Sequence, residues 1–260
     1  MTKGTINISA LRMIAVAMVA LVMSGCISTK ETVFTDKADP EKALEYRVEL
    51  ARKYIGEGNW DNAKRNLSLA TEIDPKNAEV HEAFALVYQS TGEFELAEQS
   101  YQEALRLDKN FSRARNNYAA YLYSQGRYKD AQKELELVVQ DTLYKGRPRA
   151  FVNLGLCRVQ NFDPQGAEEA FRRALTMDRT NSIALLELAQ LRYDAADYET
   201  AGRYYDTYRS VIRQQSSRGL WLGVRLARQQ GDLNAEGSYA LALQNLYPDS
   251  AEFEAYKRTL

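Results

Sequence analysis

Small and large residues recur along this chain in fixed columns. Ala63, Ala97 and Ala131 stand 34 residues apart, and Ala167, Ala201 and Ala235 repeat that interval after one step of 36. Four residues after each alanine comes a large side chain: Leu67, Tyr101, Leu135, Phe171, Tyr205 and Tyr239. Twelve residues before each comes a small one: Ala51, Ala85, Ala119, Gly155, Ala189 and Gly223. Leu50, Phe84, Tyr118, Leu154, Leu188 and Leu222 stand directly ahead of those. Small residues in two columns let two antiparallel helices approach closely, and the large residues fill the space beside them. A turn glycine falls between the helices in four of the repeats, at Gly58, Gly92, Gly126 and Gly231. The pattern predicts six helix-turn-helix units beginning near residues 44, 78, 112, 148, 182 and 216.

A 34-residue unit with these columns, and with Pro75 closing the first, resembles the tetratricopeptide repeat. The fold expected is all-α, a right-handed superhelical solenoid of about six repeats over residues 41–260, opened by Asp39-Pro40 as N-cap and first helical residue. The resemblance implies that positions 2, 5, 6, 9, 12 and 13 of each unit line a concave groove. In units three and four these include Arg113, Asn116, Asn117, Tyr123, Arg149, Asn153 and Leu156. Asparagine pairs with a peptide backbone through both its carbonyl and its amide, so the set suits an extended peptide; a solvated polar face is the alternative. Units on either side are more acidic there, with Glu45, Glu49, Glu79 and Glu82 before and Glu187 and Asp194 after, interrupted by Arg52 and Arg228. In "RNNYAAYLYSQGRY", residues 115–128, Tyr118 falls in a packing column and Tyr128 in a turn-following column shared with Trp60, Phe94 and Tyr198. The register slips once, in "DTLYKGRPRAFVNLGL", residues 141–156, which implies a wider link between units three and four.

The amino terminus follows another pattern. An apolar run of eleven, residues 13–23, comes after Lys3 and Arg12; crossing a bilayer takes about 20 such residues. The run reads as an export signal over residues 1–25. Ser24-Gly25-Cys26 resembles the lipobox of bacterial lipoproteins, with Met23 where that family usually has Leu. The resemblance implies acylation of Cys26 and a polar tether to residue 40. Ile27 in place of Asp implies the outer membrane, with the polypeptide facing the periplasm. A plain signal peptide with an incidental cysteine is the alternative. The other cysteine, Cys157, is expected to pack as a small apolar residue.

Charge and composition remove other functions. With 34 basic and 35 acidic side chains, the chain lacks the basic excess of a nucleic-acid binder. The single histidine, His81, lies in a helix-packing column, and no close Cys or His set suits zinc. There is no glycine-rich phosphate loop and no serine elbow. Neither a cofactor nor a small-molecule substrate is expected, and a lipid-anchored enzyme is the weakest of three readings.

Taken with the lipobox and six repeats, "NNYAAYLYSQGRY", "QDTLY" and "FVNLGL" resemble the PilF/PilW type IV pilus biogenesis and stability lipoproteins. The resemblance covers the whole chain. It implies a non-catalytic adaptor, a pilotin, that binds the type IV pilus secretin subunit and promotes its outer-membrane localisation and ring assembly. The alternative is a general periplasmic scaffold lipoprotein that recruits cell-wall enzymes.

Cys26→Ser is expected to abolish acylation and membrane retention. Labelled palmitate should enter the wild-type protein and not the variant; a wild-type protein without label would remove the lipoprotein reading.

Overall fold

The structure is a computed structural model that describes residues 39–260. Cys26 and the expected export signal and tether, up to residue 38, lie outside the described residues.

Thirteen helices and no strand occur among the described residues. They pair in order as hairpins: α1 (Pro40–Gly56) with α2 (Trp60–Ile73), α3 (Ala78–Thr91) with α4 (Phe94–Leu107), and α5 (Ser112–Ser124) with α6 (Tyr128–Val138). Next come α7 (Arg147–Gln160) with α8 (Pro164–Met177), α9 (Ser182–Asp194) with α10 (Tyr198–Val211), and α11 (Ser217–Gln230) with α12 (Leu233–Leu246). A short α13 (Ala251–Lys257) packs on α11 and α12 and covers the open end of the array. Six helical hairpins thus occur among the described residues, the number expected from the columns.

Local sequence starts and stops these helices. Asp39 accepts from the backbone N–H groups of Glu41 and Lys42 at the head of α1, at 3.1 and 3.3 Å. Asn59, Asn77, Asp163, Asn181, Asp197, Ser216, Asp232 and Ser250 cap later helices in the same way. Each hairpin turns through one residue with positive φ. Gly58, Gly92, Gly126 and Gly231 do so with φ between 70° and 83°. Units four and five use Phe162 (φ 61°) and Ala196 (φ 60°) instead. A side chain in this region costs roughly 1–2 kcal/mol relative to glycine. Phe162 gains no burial in return, being 94% exposed.

The alanine columns are the contact line. Ala63, Ala97, Ala131, Ala167 and Ala201 are wholly buried, as are Ala51, Ala85, Ala119 and Ala189. Ala235, in the last hairpin, is only partly covered. Tyr101, Phe171 and Leu135 fill the space beside the alanines. In unit four the approach is closer still: a Cβ on Gly155 would lie 2.5 Å from Phe171 Cε1. Tyr118 and Tyr121 belong to this core. Their rings stand 5.5 and 5.8 Å from that of Tyr101, and their hydroxyls donate to Glu98 and to the Phe94 carbonyl, both at 2.9 Å. Burial pushes the Tyr118 hydroxyl up to about 12. Tyr128 is half-buried in its turn-following column, edge-on to Tyr123 at 5.0 Å.

The link between units three and four is longer and closely folded. Arg147 Nε donates to the Val139 carbonyl at 2.7 Å, Ser112 Oγ donates to Asp141 at 2.5 Å, and Tyr144 packs on the core. The first helices on its two sides, α5 and α7, remain in contact.

Gly155→Ala is expected to cost about 1–3 kcal/mol by overpacking against Phe171. Phe162→Gly is expected to gain about 0.5–1 kcal/mol, the relief of the left-handed residue less the added freedom of the unfolded chain. Denaturant titrations of both variants check this; shifts in the same direction would contradict the geometry.

Candidate functional site: the face of the first helices

First helices of successive units touch one another, α3 with α5, α5 with α7 and α9 with α11. No two second helices among the described residues pack to that extent. The first helices therefore lie on the inside of the curve, and their outward residues form its concave face.

Polar side chains on this face join one unit to the next. Glu82 of α3 is fully buried. It accepts from Arg52 of α1 at 2.6 Å and from Asn117 Nδ2 of α5 at 2.7 Å, and Arg113 stands 3.7 Å away while pairing with Glu79 at 3.1 Å. Asn116, only 2% exposed, accepts from Asn153 Nδ2 of α7 at 3.3 Å. Glu187 of α9, 5% exposed, takes both terminal nitrogens of Arg218 of α11 at 2.7 and 3.2 Å. A carboxylate withdrawn from water in this way is stable only with such partners, and removing one partner costs more than the pair gains.

This geometry divides the seven groove residues expected from the sequence. Arg113, Asn116 and Asn117 are tied into contacts between units, and Asn116 is buried rather than solvated. Tyr123, Asn153 and Leu156 come together, half-buried, around a cavity of about 80 Å³ lined also by Ala119, Ala120, Leu135 and Cys157. Arg149 is exposed beside them and makes no ion pair among the described residues. Cys157 is buried, and burial alone pushes its thiol up to about 12, so it stays neutral and unreactive near pH 7. His81 is half-buried in the first turn of α3, with Nε2 3.0 Å from the Pro75 carbonyl. No group of three metal-ligating side chains occurs among the described residues.

Comparison with known proteins agrees with this architecture. The tetratricopeptide repeat profile matches residues 48–110, 82–148, 121–182 and 152–218. The type IV pilus assembly protein PilF of Pseudomonas aeruginosa is 38% identical over 244 residues, which is 93% of this chain and 96% of that one. The chain belongs to the PilF family of tetratricopeptide repeat proteins. A solved structure of Pseudomonas aeruginosa PilF superposes with a TM-score of 0.81 at 38% identity, over 85% of this chain and 99% of that one. The crystal structure of PilW, a type IV pilus biogenesis factor, shares the fold with a TM-score of 0.73 at 24% identity, over 83% of this chain and 98% of that one.

Within this PilF-family solenoid, sequence reasoning missed the ties on the concave face. Arg52 and Arg228 looked like interruptions of acidic stretches. They are counter-charges: Arg52 to Glu82, and Arg228 to Glu236 at 2.6 Å. The usable signal was the matching of signs one unit apart, since Arg52 and Glu82 lie 30 residues apart and Glu187 and Arg218 lie 31 apart.

Asn117→Ala is expected to lower stability by about 1–3 kcal/mol, because buried Glu82 loses a donor. Arg149→Ala is expected to stay within about 0.5 kcal/mol of wild type, as exposed unpaired residues do. Chemical denaturation of the two variants is the measurement. Equal midpoints would mean that the Asn117–Glu82 contact does not hold units two and three together.

Proposed function

We propose that this protein is an outer-membrane lipoprotein of type IV pilus biogenesis that binds secretin subunits and promotes their localisation and ring assembly. The end-to-end 38% identity to PilF carries this reading. It is supported by a repeat architecture that offers a long concave face and by the lipobox-like Ser24-Gly25-Cys26. The role is binding without a covalent step. The ties between units fix the shape of the face before a partner arrives, which lowers the ordering cost of association. Tyr123, Asn153, Leu156 and Arg149 are the residues proposed to contact the secretin segment. Tyr123 offers a rigid aromatic surface, Leu156 an apolar one, and Asn153 and Arg149 offer donors to a peptide backbone or carboxylate. Acyl chains on Cys26 would hold the complex under the outer membrane, because several chains together make release slow.

Pull-down from detergent-solubilised envelopes tests the proposal. Secretin is expected as the main co-purifying protein, with recovery reduced about tenfold for Tyr123→Ala combined with Leu156→Ala. Cell-wall enzymes recovered without secretin would replace it with the scaffold reading.

A further inference from the structure

Helix α11 carries three arginines, Arg218, Arg225 and Arg228, and no acidic residue. Carboxylates from neighbouring helices meet the outer two: Glu187 takes Arg218 and Glu236 takes Arg228. Arg225, between them, pairs with no carboxylate among the described residues. Its guanidinium lies 4.6 Å from the ring centroid of Tyr193 and 5.5 Å from that of Trp221. Nη2 donates to Gln190 Oε1 at 2.5 Å, while Nε is buried without a partner. Arg52, Arg113, Arg158 and Arg192 also bury an unpartnered Nε, but each of them holds a carboxylate. Arg225 is thus a partly desolvated cation with two aromatic faces on it and no anion. Burial accordingly pulls its pKa down, whereas the bond to Glu187 raises that of Arg218.

We infer that Arg225, set against the rings of Tyr193 and Trp221 on the first helices of units five and six, receives a carboxylate from the protein segment bound on the concave face. The inference rests on the reading of this face as a protein-binding surface. Nε is enclosed and Nη2 is held by Gln190, while Nη1 makes no hydrogen bond among the described residues and is not enclosed, so Nη1 is the donor left for a ligand carboxylate. Asp194 stands nearby, and Gln190 donates to it at 2.7 Å, holding that carboxylate one side chain away from Arg225. The negative charge of Asp194 favours a singly charged ligand over a dianionic phosphate. The side chain of an acidic residue in an extended peptide meets these conditions.

The test uses Trp221 as reporter, in a Trp60→Phe background that leaves it the sole tryptophan. The probe is the capped peptide acetyl-Asn-Glu-Asn-Glu-Asn-amide at millimolar concentration, beside a twin with both glutamates replaced by glutamine. The glutamate peptide is expected to change the indole emission and to bind at least about tenfold more tightly than its twin. Arg225→Gln should remove that preference and Arg225→Lys should keep part of it, with helicity unchanged in both. Equal response to the two peptides, or an Arg225→Gln protein that still prefers glutamate, would overturn the site. The same variants are then titrated with purified secretin subunit. Wild-type protein that binds the glutamate peptide but not secretin leaves the carboxylate site standing and removes the secretin reading. Secretin bound equally by wild type and Arg225→Gln keeps that reading and overturns the role of Arg225 in it.

Discussion

Everything in this molecule depends on how closely two helices can approach within one hairpin. The alanine column at Ala63, Ala97, Ala131, Ala167 and Ala201 is wholly buried, and facing it are alanines or glycines. A larger side chain at either place would separate the axes and pull Leu67, Tyr101, Leu135, Phe171 or Tyr205 out of its slot. Because each hairpin is thin, it cannot bury an apolar face alone and needs its neighbours. The core is accordingly continuous through the middle of the chain: one cluster runs from Ala85 to Leu188.

Close packing within hairpins sets the spacing, and polar contacts set the register between them. Arg52, Glu82 and Asn117 bind three successive first helices at one point. Asn116 and Asn153 continue the line, and Glu187 with Arg218 resumes it in units five and six. These contacts are directional where the apolar ones are not, so they select one relative placement of neighbouring units. What remains free on the face is a smaller and more specific set: the rim of the cavity at Tyr123 and Leu156, where Asn153 keeps one amide N–H beyond its bond to Asn116, exposed Arg149, and Arg225 beside Tyr193 and Trp221.

The hairpins were legible because their signal is a repeated column, and six repetitions outweigh any single substitution. Lipidation and membrane address were read from residues before 39 and stay at the level of sequence. The ties between units were not legible from composition, because each joins residues 30 to 37 positions apart, whose meeting depends on the turn of the solenoid. Asn116 shows the difficulty: its position marked it as groove-facing, and a neighbour one unit away buries it. The hairpin turns at Phe162 and Ala196 were missed for another reason. Neither residue is a usual left-handed former, yet both fall in the column of Gly58, Gly92 and Gly126 once the slip of two is counted, and that alignment was the available signal.

Burying Glu82 also gives the array a mechanical property. Bending units one to three away from one another would draw a carboxylate, its arginine and an amide apart in a space that excludes water, so the restoring force is steep and short-ranged. Salt screens exposed charges and scarcely reaches this one. The amino-terminal half of the solenoid should therefore keep one curvature across ionic strengths, as a stiff leaf spring does under varying load.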